Sequence, residues 1–146
     1  MKDQIHDYNK TIIIDGPHED VYSALTTLDG LSEIWEEPVV GDLTINGELT
    51  IHFIKRGEEN KIRIDRLVFP SSVEWTVTQD ETYRGEWEGT KIIFSIKPLT
   101  GARSLLNILH LGLTSQLASH EDGVNGWDHF LKKIEELLSP AVPFRL

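Results

Sequence analysis

His110 is the polar residue of this sequence best placed to do chemistry. Leu106, Ile108 and His110 occupy alternate positions. Alternate residues of a strand share one face of a sheet, so we expect His110 to face the core. A histidine there can be satisfied by one internal hydrogen bond, can orient a ligand carbonyl or hydroxyl, or can exchange a proton near neutral pH. No partner carboxylate is evident, so proton exchange is the weakest alternative, and we expect replacement by leucine to alter ligand binding more than folding.

The aromatic residues are the second group that a ligand site could use. The sequence has four tryptophans and five phenylalanines, and such side chains mostly fill protein cores. The mid-strand positions of Trp75 and Phe94 favour that role. Trp35 follows a short helical segment and Trp127 lies early in a long one, so each fits the mouth of a pocket as well as it fits the core.

Trp87 and Gly126 each leave two interpretations open. Trp87 has the opposite parity to Ile92 and Phe94 in the strand pattern. A bulge at Gly89 would return it to the inner face, since glycine often marks bulges; without one it lies on the outer face. Gly126 costs about 1 kcal/mol relative to alanine inside a helix. It marks either a close approach of helix and sheet or a frayed first turn.

Several classes of site and partner are disfavoured. The absence of cysteine excludes disulfides and thiolate metal sites, and His120 and His129 are too far apart for the i, i+4 face of a zinc pair. We find no phosphate-binding loop, nucleophile elbow or dinucleotide fingerprint, so no metal, cofactor or catalytic residue is predicted. The net charge of −10 argues against nucleic acid.

The cellular location is predicted from the same composition. The lack of cysteine fits a reducing compartment. The polar start at residues 1–7 lacks the apolar stretch of a secretory signal, and no apolar run approaches the ~20 residues of a membrane span. We therefore expect a cytoplasmic protein that has no membrane-spanning segment.

Periodicity predicts the elements that must position these residues. Residues 8–15 are β-branched and apolar, and they lead into a helix from Pro17 to Gly30 and a second short helix over 31–35. The middle of the chain then alternates with a period of two, which predicts strands. A helical stripe over 119–138 follows, formed by Val124, Trp127, Phe130, Leu131, Ile134, Leu137 and Leu138.

This order of elements predicts the architecture. An apolar sheet face and an apolar helix stripe must cover each other, so the class is α+β. We expect one domain over 1–146, in which a curved antiparallel sheet of about six strands surrounds the C-terminal helix and two short helices follow the first strand. A sheet that curls around one helix leaves space at its open end, and that space suggests a ligand.

Five segments together resemble a known superfamily. They are residues 12–26 (IIIDGPHEDVYSALT), Val73-Glu74-Trp75, residues 87–94 (WEGTKIIF), His110-Leu111-Gly112-Leu113, and Gly126-Trp127 with Phe130-Leu131. In this order they resemble the SRPBCC, or START-like, superfamily, in the branch similar to activators of the heat-shock-protein-90 ATPase. The chain departs from that pattern where Ile34 precedes Trp35, in place of paired tryptophans, and in its tail at 139–144. Both departures fall where a pocket rim is expected.

The resemblance implies a helix-grip fold, also called START-like or Bet v 1-like, and a lipophilic, ring-containing small-molecule ligand. Two alternatives stay open: a small cyclase or dehydrase that uses the same pocket, and a co-chaperone, for which the family naming is the only support. Such an enzyme needs several titratable groups on the inner face of the sheet, and alternation places only His110 there. Binding is therefore favoured over catalysis. The pocket residues predicted by alternation and by the helix stripe are Trp35, Phe53, Ile64, Trp75, Phe94, Ile108, His110, Trp127, Phe130 and Leu131. Pockets for drug-sized ligands occupy about 300–1,000 Å³.

Overall fold

A computed structural model describes residues 7–139 of the protein. A first strand and two short helices are followed by six strands and a long helix, and the order strand, helices, strands, helix is the predicted one. In chain order the elements are β1 Tyr8–Ile14, α1 His18–Leu25, α2 Leu28–Trp35, β2 Val39–Gly41, β3 Glu48–Phe53, β4 Glu58–Val68, β5 Ser72–Gln79, β6 Lys91–Leu99, β7 Arg103–Leu111 and α3 His120–Leu138.

The strands form one antiparallel sheet in the order β1-β7-β6-β5-β4-β3-β2. The first strand therefore pairs with the last, Tyr8 opposite His110 and Ile14 opposite Ser104. Two register irregularities interrupt the β4–β5 pairing, after Lys61 and after Ile64, and such bulges increase the local bend and twist of a sheet. The α+β prediction is confirmed, and the sheet has seven strands where about six were expected.

The long helix α3 packs its apolar stripe against the rest of the core. Trp127, Phe130, Leu131 and Ile134 are all at most 3% exposed. The stripe is narrower than predicted, because Leu137 is 38% exposed. Leu138 is partly buried and packs against the core, so Leu137 alone departs from the predicted stripe.

The boundary between α1 and α2 differs from the predicted one. Thr27 is the N-cap of α2, and its hydroxyl accepts a hydrogen bond from the Gly30 amide at 3.1 Å. This cap starts a new helix at Leu28, where the apolar spacing alone predicted that α1 continues to Gly30. An added Cβ on Gly30 would lie 2.4 Å from the Ala24 carbonyl oxygen, so a side chain there would force the two helices apart.

Two further predictions concerned the C-terminal tail and the absence of a membrane-spanning segment. The tail segment 139–144, predicted to lie near a pocket rim, falls outside the described residues from 140 onward. Between residues 7 and 139, none of the helices combines the length and the apolar character that crossing a membrane requires.

Candidate functional site

Five aromatic side chains meet where α2, α3 and the inner face of the sheet converge. We call this group the aromatic cluster; it consists of Trp35, Trp75, Phe94, Trp127 and Phe130. Trp35 stacks on Trp75 at 5.9 Å between ring centroids, and its ring meets Phe130 edge-on at 5.1 Å. Trp75 meets Phe94 at 4.6 Å. Edge-on and offset arrangements at these separations are the favourable ones for aromatic pairs.

The loop between β5 and β6, residues 80–90, adds two more rings at one end of the cluster. Tyr83 lies face to face with Trp87 at 3.9 Å and 8° between planes. Trp87 is parallel to Trp127 at 5.9 Å and 6°. The loop therefore occupies the end of the sheet–helix space that the sequence analysis expected to be open.

Side-chain oxygens of two buried residues hold this loop in place. Asn60, 3% exposed, accepts hydrogen bonds from two consecutive loop amides at 2.8 and 3.2 Å through Oδ1. Asp80, 5% exposed, accepts from the Tyr83 amide at 2.7 Å and from the Trp87 amide at 3.1 Å. Each of these buried oxygens is paired with a loop amide, and paired buried polar groups favour one conformation, so the loop has a defined closed position.

Two contacts join the loop to the start of α3. Glu86 accepts hydrogen bonds from the Ser119 amide and hydroxyl, and these bonds hold the pKa of its carboxyl below the usual value. On the helix, an added Cβ at Gly126 would lie 2.9 Å from the Tyr83 hydroxyl, and one at Gly123 would lie 3.2 Å from the Trp87 ring. Both glycines lie within α3, so Gly126 marks a close approach, made by the loop instead of a strand.

His110 lies in the middle of a hydrogen-bond chain that runs from α3 to the loop. Trp127 donates its indole N–H to His110 Nδ1 at 3.0 Å. Because Nδ1 accepts, Nε2 carries the proton and donates to Thr90 Oγ1 at 2.8 Å. Thr90 in turn donates to the Trp87 carbonyl oxygen at 2.6 Å. Each donor in this chain therefore has an acceptor, and the hydrogen bonds specify the tautomer of His110 that is protonated on Nε2.

The environment of His110 decides what it can do chemically. The side chain is fully buried, as alternation predicted, and burial lowers its pKa to about 4. At neutral pH it is an uncharged ring with both nitrogens engaged. Orienting a ligand or moving a proton would require one of these internal bonds to be exchanged for a bond to the ligand.

A small cavity lies beneath the loop. Its volume is about 20 Å³, room for about one water molecule. Trp87 is 6% exposed and lines this cavity, and its indole N–H has no hydrogen-bond partner among the described residues. The full lining is Trp35, Ile51, Phe53, Asn60, Ile62, Val77, Tyr83, Trp87 and Ile92.

Comparison with solved structures gives close fold matches. The Aha1 dimer from Colwellia psychrerythraea matches with a TM-score of 0.78 at 21% identity, over 92% of this chain and 96% of that chain. An HSP90 activator from Plasmodium falciparum matches with a TM-score of 0.72 at 16% identity, over 90% and 95%. The chain has the START-like helix-grip fold. CalU16 from Micromonospora echinospora, with a TM-score of 0.71 at 18% identity over 93% and 78%, also matches this fold.

Sequence comparison adds no closer relative to this helix-grip protein. No family model matches the chain, and none of the curated proteins matches it significantly. The resemblance carried by the five sequence segments is therefore confirmed at the level of the fold. A shared fold hosts many functions, so the function of this domain depends on the residues of its own site.

The helix-grip core is more densely filled than the sequence analysis expected. Of the ten predicted pocket residues, Trp35 and Phe53 line the cavity. The rings of the aromatic cluster occupy the space expected to hold a pocket of several hundred Å³. The other eight residues are buried in the surrounding core: Ile64, Trp75, Phe94, Ile108, His110, Trp127, Phe130 and Leu131.

The remaining lining residues were not among the predicted pocket residues, for three reasons. Four belong to the alternating strand pattern but were not selected as site residues: Ile51, Ile62, Val77 and Ile92. Asn60 lies within β4 but is polar, so the apolar strand pattern did not select it. Tyr83 and Trp87 lie in a loop, where strand parity does not apply, so the alternatives for Trp87 were framed on the wrong element. The one sequence feature that could have indicated Tyr83 is Gly126, because a glycine within a helix leaves room for a side chain from another segment.

No metal centre is present within the described part of the chain. Residues 7–139 contain no group of three histidine, aspartate or glutamate side chains arranged to hold an ion. His129, one of the two histidines considered in the sequence, contacts Glu36 at 3.1 Å on the surface.

Proposed function

We propose that this domain binds a lipophilic, ring-containing small molecule in an enlarged form of the cavity beneath the β5–β6 loop. The observation that carries the proposal is the Trp87 indole N–H, which is buried and has no partner among the described residues, on a side chain that lines the cavity. An unsatisfied buried donor costs about 1–3 kcal/mol. A ligand oxygen would remove that cost, so we infer that the ligand carries a hydrogen-bond acceptor beside its rings.

The loop is the element that would move to admit such a ligand. The cavity is too small for a drug-sized molecule while Tyr83 and Trp87 stay in place. The bonds that hold the loop come from Asn60, Asp80 and Glu86, and loops open locally at lower cost than strands do. Displacement of Tyr83 from its stack would free a ring-sized place against Trp87.

The test is a fluorescence titration with pairs of planar ligands that differ in one acceptor. Anthraquinone and flavone carry ring carbonyls, and anthracene has the rings alone. We expect saturable quenching of tryptophan fluorescence by the carbonyl ligands, since Trp35, Trp87 and Trp127 adjoin the site. Trp87→Phe should weaken carbonyl ligands about 5- to 10-fold, the value of one hydrogen bond, and should leave the affinity for anthracene unchanged.

Trp75→Phe is the matched control. The Trp75 indole N–H is also buried and without a partner among residues 7–139, but Trp75 does not line the cavity. Circular dichroism should show both variants folded. Equal losses in the two variants, or no saturation with any ligand of the panel, would contradict the proposal.

A co-chaperone function is the second candidate. It is favoured by the fold match to the P. falciparum HSP90 activator, which extends over 90% of this chain. The measurement is the ATPase rate of a purified heat-shock-protein-90 chaperone with and without this protein. Stimulation that survives Trp87→Phe would favour the co-chaperone function, and an unchanged rate would leave ligand binding as the better account. The cyclase or dehydrase alternative has no comparable support, because His110 is engaged on both nitrogens.

A further inference from the structure

Charge is distributed unevenly over this acidic chain. The sequence has 24 aspartates and glutamates against 14 lysines and arginines. The stretch 89–120 nevertheless contains no acidic residue, and neither does β1. These segments form three adjacent strands, β1, β7 and β6. These three strands therefore carry no carboxylate of their own, although the whole molecule is strongly negative and Asp7 and Asp15 flank β1.

The outer surface of these three strands combines cations with apolar side chains. We call it the basic sheet face; its members point away from the helices and include Ile13, Lys91, Lys97, Arg103, Leu105, Asn107 and Leu111. Ile13 is 49% and Leu111 is 37% exposed. Lys91 pairs with Asp65 of β4 at 3.2 Å. Within residues 7–139, Lys97 and Arg103 pair with no carboxylate.

The basic sheet face is indented near its centre. The depression has a volume of about 350 Å³ and is lined by Thr11, Ser95, Lys97, Leu105 and Asn107. Its lining has an ammonium group and two hydroxyls around one aliphatic side chain, while the Asn107 side-chain nitrogen donates to Asn9, Lys10 and Thr11 of β1. Lys97 lies opposite Leu105, and Arg103 is two residues from Leu105 on the same strand. Lys97 and Arg103 are therefore diagonal neighbours on adjacent strands, and such neighbours lie about 7–8 Å apart.

We propose that the basic sheet face binds an acidic, partly apolar segment of a partner protein. Carboxylates two residues apart in an extended segment are separated by about 6.6 Å, close to the diagonal spacing of Lys97 and Arg103. An apolar side chain two residues further along the segment lies on the same face as the carboxylates and would contact Leu105 or Ile13. Complementary charge of this kind directs encounter and specificity.

A compact protein segment is favoured over a phosphate surface. A membrane or a nucleic acid is a large anion that would also face the carboxylates on the rest of the molecule, whose net charge is −10 overall. A second copy of this chain presenting the same face would set lysine and arginine against lysine and arginine. A short acidic segment contacts the cations and avoids the remaining surface.

The test begins with selection of a random 12-residue peptide library on the purified protein. Counter-selection uses the double variant Lys97→Glu/Arg103→Glu. Enriched peptides should combine aspartate or glutamate with aliphatic residues. A synthetic peptide of that sequence should shift the amide resonances of β1, β6 and β7, and its affinity should fall as salt rises. The double variant should bind about 10-fold or more weakly at low salt.

The matched control is Lys55→Glu/Lys132→Glu, which changes the net charge equally on other surfaces. Both lysines are exposed and neither pairs with a carboxylate of the described residues. The control should bind within about twofold of the wild type. Enriched peptides without an acidic excess, or shifts that map to the helices, would overturn the proposal. So would binding of phosphatidylserine vesicles that the double variant abolishes while no peptide is enriched, because the face would then bind lipid.

Discussion

Leu131→Asp is expected to lower the free energy of unfolding by about 4 kcal/mol or more, because it places an unpaired charge in the core. Leu131 is 3% exposed, on the stripe of α3 that meets the core. Domains of this size are stable by about 5–15 kcal/mol. The melting temperature should therefore fall by about 15 °C or more, as measured by circular dichroism.

Leu137→Asp provides the matched control on the same helix. Leu137 lies six residues further along and is 38% exposed, so the same new charge remains in contact with water. Its cost should stay below about 1 kcal/mol, as for most surface substitutions. If Leu131→Asp melted within a few degrees of the wild type, the docking face of α3 would be wrongly assigned.

His110→Leu is expected to cost about 2–4 kcal/mol at pH 7, because the buried Trp127 indole N–H and the partly buried Thr90 hydroxyl lose their partner. The hydrogen bonds of His110 therefore give this replacement a larger effect on folding than the strand pattern alone suggested. Leucine can neither accept from the Trp127 indole N–H nor donate to the Thr90 hydroxyl. Urea unfolding at pH 7 measures this loss. His110→Asn is the informative comparison, since its amide oxygen can replace Nδ1 as acceptor and should restore part of the stability. A loss below about 0.5 kcal/mol for His110→Leu would show that the chain of hydrogen bonds contributes little.

The same residue predicts a dependence of stability on pH. The folded protein holds the His110 pKa at about 4, below the ordinary value of 6.5, because the ring is buried. Between these two values the unfolded chain binds the extra proton, so stability is complete above about pH 6.5 and decreases as the pH falls toward 4. The loss for this group is about 3 kcal/mol. In His110→Leu the decrease over this window should be smaller, and equal slopes in both proteins would contradict the assignment.

The sequence predicted the strands and the facing of His110 because alternation is a local property. Leu106, Ile108 and His110 are buried, as their spacing required. The stripe of α3 was predicted on the same basis, apart from Leu137. The short edge strand β2 has only three residues, too few to show a period, and it was missed.

The filling of the core was beyond what spacing can predict. Alternation states which side chains face inward, but the space left between them depends on how rings from α2, α3 and the loop fit together. Trp35 stacks on Trp75, and Trp87 lies parallel to Trp127; these pairs join segments far apart in sequence. The loop that carries Trp87 has no period, so its entry into the core left no pattern beyond the glycines of α3.

The pairing of β1 with β7 has a consequence for how the chain folds. Tyr8 and His110 are partners although almost the whole domain separates them. Closing so long a loop has an entropic cost that local contacts do not offset, and topologies dominated by distant pairings fold slowly, in about milliseconds to seconds. Until that step is complete, the isoleucine-rich β1 and the edge of β7 both remain unpaired. These two strands are then the segments most open to pairing with another chain, and aggregation during folding would begin there.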